Sequence, residues 1–198
     1  MKKLVIATHN RNKFKEMSEA LMGIGWEVLP AFEFAGVPDV VEDGATLEEN
    51  SLKKATIISQ FTGLPALADD TGLFVEALDG RPGIYAARFA GIDCTYEDNV
   101  RKLLEVMKGT PEGKRSAVFR TVITIVGPEM EVQQVVGEVE GVITAEARGK
   151  GGFGYDPVFL PAGQSRVFAE MSLEEKNKIS HRGLAVQKAK HLLKKIQD

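Results

Sequence analysis

The chain has 198 residues, 43% of them hydrophobic and 27% charged, which excludes wholesale disorder and supplies one buried core or two small ones. Its formal net charge of -3 excludes the basic face that a general nucleic-acid or membrane-surface binder needs. A lone cysteine, Cys94, cannot close an internal disulfide, so a reducing, cytoplasmic setting is expected. The apolar part of Met1–Ala7 is too short for a signal peptide and is broken at once by Thr8-His9-Asn10. No stretch approaches the ~18 apolar residues of a membrane span.

In chain order, Lys3–Ala7 reads as a buried strand ended by turn residues. A helix follows with Phe14, Met17, Leu21 and Ile24 on one face, loosened at its end by Gly23 and Gly25. Glu27–Leu29 is a short strand, and Pro30–Gly44 is loop. The capping box Thr46-x-x-Glu49 opens a second helix bearing Leu52, Ala55 and Ile58, which Gly63 and Pro65 end. Pro65–Ala68 feeds a strand that finishes at Asp69-Asp70. A glycine-rich loop, Gly80-Arg81-Pro82-Gly83, precedes a third helix begun by Thr95-x-x-Asp98 with Val100, Leu103, Leu104 and Met107 as its apolar stripe.

The texture then becomes β-rich. Ala117–Val126 and Glu131–Val139 form a hairpin through Gly127-Pro128, and Val142–Ala147 adds a further strand. After the glycine-rich Gly149–Pro157 come a strand at Val158–Leu160, a capping box at Ser172-x-x-Glu175, and a terminal helix with Ala185, Ala189, Leu192, Leu193 and Ile196 on one side. Strand–helix alternation followed by a β-rich half predicts an α/β fold, one mixed sheet with helices on its faces, and no repeat or linker divides residues 1–198.

Four constellations carry chemistry. Thr8-His9-Asn10-Arg11-Asn12-Lys13 lies where a strand meets a helix start, whose amides and dipole attract anions. Arg11, Lys13 and Lys15 oppose that dipole, which implies an anion nearby; the plain alternative is a solvated basic turn. Asp69-Asp70, followed by Thr71-Gly72, places carboxylates at the strand end where open α/β sheets take ligands. Glu42 and Asp43 could complete an all-oxygen Mg²⁺ site with them; the alternative is an Asp-Asp turn with helix-capping acids. In Gly151-Gly152-Phe153-Gly154-Tyr155-Asp156-Pro157 the glycines allow close backbone approach, and Phe153 offers a face for a base. Lys176 with Ser180-His181-Arg182-Gly183, ahead of the terminal helix, supplies donors for base oxygens.

Together and in this order, these residues resemble the inosine triphosphate pyrophosphatase family. The resemblance runs from Ala7-Thr8-x-Asn10-x-x-Lys13-x-x-Glu16 through Glu49-Asn50, Lys53-Lys54, Ala68-Asp69-Asp70-Thr71-Gly72-Leu73, Gly80–Arg88 and Gly151–Phe159 to Ser180-His181-Arg182-Gly183. His9 stands where such proteins frequently carry a small residue such as glycine. The resemblance implies a single nucleotide pyrophosphatase domain over residues 1–198, with an elongated mixed sheet flanked by helices and two lobes with a cleft between them. It also implies a homodimer that, with Mg²⁺, hydrolyses ITP, dITP and XTP to the monophosphate and pyrophosphate, cleansing the nucleotide pool. It assigns Thr8, His9, Asn10, Arg11, Asn12 and Lys13 to the triphosphate, and Lys54 and Thr71 to substrate contact. Glu42 and Asp70 become metal ligands, with Asp70 the proton acceptor and Lys13 its catalytic companion. Phe153, Gly154, Tyr155, Asp156, Lys176, His181 and Arg182 surround the nucleoside and base. Alternatives are a pyrophosphatase for modified pyrimidine nucleotides, disfavoured by the Phe153 and His181-Arg182 blocks, and a nucleotide sensor without turnover, disfavoured by the full set of acids and lysines.

Overall fold

The computed structural model describes residues 2–127 and 129–195, so Met1, Pro128 of the expected hairpin turn and Ile196 of the expected terminal stripe lie outside the described residues. Strands form one sheet in the order β2-β1-β3-β5-β6-β7, with β4 added to β3. Strand β1 (Lys2–Ile6) pairs in parallel with β2 (Trp26–Pro30) and with β3 (Ala66–Val75). Parallel neighbours need crossovers, and the helices α1 (Arg11–Ala20) and α2 (Leu47–Thr62) provide them.

The chain forms two compact units. The first comprises Met1–Asp70, Thr121–Gly137 and Arg182–Asp198, and the second Thr71–Arg120 and Glu138–His181. In the first unit, the strand period of two sends alternate β1 residues to opposite faces. Leu4 and Ile6 join Leu67, with Met17 and Leu21 from the α1 side and Ala185, Val186, Ala189 and Leu193 from α5 (His181–Lys195). Val5 and Ala7 join Ala66 and Ala68 with Ala55 and Ile58 of α2. The apolar spacing read from the sequence selects most of the buried helix faces, with two corrections. Helix α1 ends at Ala20, so that Leu21 and Ile24 reach the cluster from beyond it, and Leu52 of the expected α2 stripe is part-buried, with Ala55 and Ile58 carrying the α2 contact.

In the second unit, α3 (Tyr96–Val106) starts at Thr95 with both halves of its capping box formed. Its Val100 and Leu103 pack with Phe119 of β5 (Ser116–Val126), Phe159 of β7 (Phe159–Pro161) and Phe168. The Phe119 and Phe159 ring centroids lie 4.6 Å apart. A short helix, α4 (Leu173–Ile179), begins at the expected Ser172–Glu175 box.

Several expectations are corrected. β3 does not finish at Asp69-Asp70 but continues to Val75, placing both aspartates in mid-strand. The predicted separate strand Val142–Ala147 is not formed; Val142 and Ile143 are the end of β6 (Val132–Ile143). Gly141 looks like a break, yet glycine is needed there because a Cβ would lie 2.4 Å from the Leu160 carbonyl oxygen of β7. Within the Gly80–Gly83 loop, Pro82 and Gly83 form strand β4, antiparallel to Leu73 and Phe74. His181, Arg182 and Gly183 are the first turn of α5 rather than a segment ahead of it. Among the described residues, no helix is long and apolar enough to cross a membrane.

Candidate active site

The loop after β1 is held by its own side chains. Asn10 caps α1, its Oδ1 accepting from the Asn12 and Lys13 amides at 2.9 and 3.2 Å, while the Asn10 amide donates to Thr8 Oγ1 at 3.1 Å. The Asn10, Asn12 and Lys13 amides, expected to attract an anion, are thus taken up by side chains of the loop itself. The anion implied by the basic first turn is a residue of the chain itself, because Lys13 Nζ lies 3.2 Å from Asp69 Oδ2. Arg11 places its guanidinium 4.7 Å from the Phe32 ring centroid, and His9 Nε2 lies 3.4 Å from Asp39 Oδ1 at an exposed position.

Asp69 and Asp70 are consecutive strand residues, so their side chains leave opposite faces of β3. Asp69 follows Leu67 onto the α1 and α5 face, where Arg182 Nε donates to its Oδ2 at 3.1 Å. Arg182 Nη1 donates to Glu16 Oε2 at 2.6 Å, so the buried Glu16, Arg182 and Asp69 form a chain that ends on the part-buried Lys13. Burial pushes the Asp69 carboxyl up, but Lys13, Arg182 and Lys54 outweigh it and hold the group well below the carboxylate range. For Arg182, burial is likewise outweighed, here by Asp69 and Glu16, which raise its proton affinity.

Asp70 follows Ala66 and Ala68 onto the α2 face. Lys54, on the buried stripe of α2 with Leu47, Asn50, Ser51 and Ile58, donates from Nζ to Asp70 Oδ1 at 2.9 Å and to Glu42 Oε1 at 2.8 Å. Burial raises the Asp70 pKa, Lys54 and Lys13 only partly oppose it, and Glu42 adds repulsion. Lys54 is also raised: burial lowers it, but Asp70, Glu42 and Asp69 together win. The same upward direction favours the charged form of Lys54, which faces several carboxylates, and disfavours that of Asp70, which shares its cations with other acids. Asp43 turns away to Lys53, 2.6 Å distant and half-exposed, and of the two neighbouring acids it is Glu42 that shares Lys54 with Asp70.

The glycine-rich block belongs to the second unit. Asp156, buried, accepts from the Phe153 amide at 2.8 Å and pairs with the buried Lys176 ammonium. That ammonium lies 4.9 Å from the half-buried Phe153 ring, which also meets Tyr96 at 5.7 Å. His181 is buried and stacks on Phe119 at 4.3 Å, so it is no exposed helix-start donor. The Tyr155 hydroxyl donates to the Ala86 carbonyl at 2.8 Å, making this side chain a core anchor. Thr71, half-buried in β3, follows Asp70 directly. Within this block Gly152, at φ +69°, carries the tightest constraint, since a Cβ would sit 2.0 Å from Asp156 Oδ2. Gly152→Ala is expected to cost about 1–3 kcal/mol of stability and loosen Phe153. Thermal denaturation checks this, and parental stability would mean that Asp156 turns aside without loss.

Sequence reading assigned no role to Glu16 or Asn50. Glu16 was discoverable from its spacing, because Lys13 and Glu16 lie three apart and therefore on one helix face. Asn50 carries no such signal, since its partner is a backbone amide six residues earlier.

Residues 4–192 match the model of the Ham1 family. A Desulforamulus reducens protein named dITP/XTP pyrophosphatase is 47% identical over 194 residues, spanning 98% of this chain and 96% of its own. A Caldanaerobacter subterraneus protein of the same name is 47% identical over 201 residues, spanning 100% of both. The solved structure of a HAM1 protein from Coxiella burnetii superposes with a TM-score of 0.88 at 40% identity, over 98% of this chain and 100% of the other. The chain belongs to the Ham1 family.

Proposed function

We propose that the chain hydrolyses the non-canonical purine nucleotides ITP, dITP and XTP to the nucleoside monophosphate and pyrophosphate. It is a nucleoside triphosphate pyrophosphatase, as its full-length relatives are named. The observation that carries the chemistry is the convergence of Glu42 and Asp70 on one buried cation, the Lys54 ammonium, at 2.8 and 2.9 Å. Two carboxylate oxygens gathered on one cation also fit Mg²⁺, which takes one or two carboxylates and completes its shell with waters and phosphate oxygens. Glu42 and Asp70 would hold the ion, which when bound neutralises phosphate charge and acidifies nearby water.

The remaining steps fall to the chain. Lys13 and Lys54 supply positive charge to the triphosphate, with the Thr8–Asn12 loop beside them. Water attacks the α-phosphorus and a new P–O bond forms. The bond to the bridging oxygen breaks, pyrophosphate leaves, and Asp70 takes the proton of the attacking water. Phe153 offers its face to the base, and the Lys176 ammonium beside that ring is the donor assigned to a base oxygen, whereas Arg182 is committed to Glu16 and Asp69 and His181 to its stack on Phe119. Asp156, Tyr155 and Gly154 shape the loop that presents Phe153. We also take the protein to be a cytoplasmic homodimer, on its single cysteine and its family resemblance; sedimentation at assay concentration tests the dimer.

The reading is checked with labelled nucleotides. ITP should give IMP and pyrophosphate, and finding IDP and orthophosphate first would overturn the mechanism. Hypoxanthine and xanthine carry an oxygen at position six where adenine carries an amine, so donors built for that oxygen are left unpaired by ATP. Such a mismatch is worth on the order of 10⁴-fold in kcat/KM in a site built for hydrogen bonds. A panel of ITP, XTP, dITP, the canonical triphosphates and modified pyrimidine nucleotides should rank the first three far ahead. Equal turnover of ATP would defeat the base assignment.

A further inference from the structure

The segment carrying Glu42 is held by α2 through contacts that run in inverse order. Glu49 Oε2 accepts from the Ala45 amide at 2.6 Å, and Asn50 Oδ1 accepts from the Gly44 amide at 2.8 Å. Lys53 Nζ donates to Asp43 at 2.6 Å, and Lys54 Nζ donates to Glu42 at 2.8 Å. Residues 49, 50, 53 and 54 are neighbours on adjacent helical turns, so α2 acts as a template for residues 42–45. The contacts of Glu49 and Lys53 are exposed, and exposed pairs contribute little. Asn50 is 3% exposed, and a Cβ on Gly44 would stand 2.7 Å from its Oδ1 and 2.8 Å from Glu49 Cβ. The backbone thus rests directly on the helix at this point, and a buried acceptor fixes it there.

We propose that Asn50 is a positioning residue for the reaction. By holding the Gly44 amide it sets the path of residues 42–45, and so the place of the Glu42 carboxylate opposite Asp70. This rests on the role given to Glu42 above.

Asn50→Leu keeps the branched shape, though not the smaller volume, and removes the acceptor. It should lower kcat about 10- to 100-fold, the scale of a displacement near 1 Å in a catalytic group. The Mg²⁺ concentration for half-maximal rate should rise with it, more than the nucleotide KM does. Gly44→Ala attacks the same contact from the other side, should act in the same direction, and carries the test should Asn50→Leu not fold by circular dichroism. A readout without turnover is Mn²⁺ binding in the presence of α,β-methylene-ITP, followed by electron paramagnetic resonance, which should weaken in the same variants. The decisive comparison is made in a Glu42→Gln background. A residue that acts through Glu42 has nothing left to act on, so Asn50→Leu/Glu42→Gln should match Glu42→Gln alone. Loss by the same factor in both backgrounds marks a merely structural role and overturns the proposal, as would parental kcat and metal dependence in both single variants. Parental activity in Glu42→Gln itself would overturn the reading of Glu42, and this inference with it.

Discussion

Asp70→Asn should reduce turnover of ITP by about 10²- to 10⁴-fold, the range associated with removing a proton acceptor from its site. The amide keeps the size of the carboxylate but takes no proton under assay conditions, and it removes the negative charge of one of the two acids gathered on Lys54. Lys54 keeps Glu42 as an ion-pair partner and the amide fills the space of the carboxylate, so the variant should remain folded. Circular dichroism and kcat measured across Mg²⁺ concentrations check both halves. Near-parental rates in the folded variant at saturating Mg²⁺ would remove Asp70 from the chemistry and transfer the role of acceptor elsewhere. Asp69→Asn is the matched control. Its side chain lies on the other face of the strand among Lys13 and Arg182, so it should disturb packing of charge rather than proton transfer.

The contrast between these neighbouring aspartates marks how far the sequence could be read. The existence of β1, the faces of α1 and α2 and the caps at Thr46, Thr95 and Ser172 depend on signals within a few residues, and these were legible. The grouping of Glu42 with Asp70 and Lys54 was legible only as a set of acids and lysines, because which acid meets which cation depends on three separate elements. A strand ending at Asp69-Asp70 was the natural reading, since unpaired aspartates disfavour strands. Here cations meet the two side chains from opposite faces, and β3 continues. The same period of two would have separated the pair onto different faces had the strand been extended. Likewise the basic first turn of α1 did signal an anion, but the partner is Asp69, far along the chain, which no local pattern identifies.

Arg182 is where the tertiary structure most changes the expected outcome of a substitution. Read from sequence, it is a donor for the base; in the fold its guanidinium, 3% exposed, joins Glu16 and Asp69, which are 4% and 1% exposed. Arg182→Met should therefore lose about 3–5 kcal/mol of folding stability, because removing one partner strands buried charge instead of replacing a whole network. The sign with pH follows from Asp69. Burial acts to raise its carboxyl, but Lys13 and Arg182 depress it strongly, so it contributes stability that is present above the ordinary carboxylate pKa and lost as pH falls through the depressed value. Without Arg182 much of that contribution disappears, so the gap between variant and parent should be widest near neutral pH and narrow on acidification below about pH 4. Urea unfolding at both pH values measures it. Glu16→Gln in the Arg182→Met background should recover part of the loss, since it removes one of the stranded charges, and the pair should fall well short of additive. Equal urea midpoints for Arg182→Met and parent at neutral pH would show that the network contributes nothing to folding. A recovered fold with impaired turnover in Glu16→Gln/Arg182→Met would separate the two roles of this chain of charges. Apolar or neutral groups can stabilise the core as well as ions do, but they would not reproduce the Glu16–Arg182–Asp69 sequence whose last carboxylate lies 3.2 Å from the Lys13 ammonium. A loss of turnover without a loss of fold is the result expected if that contact positions Lys13.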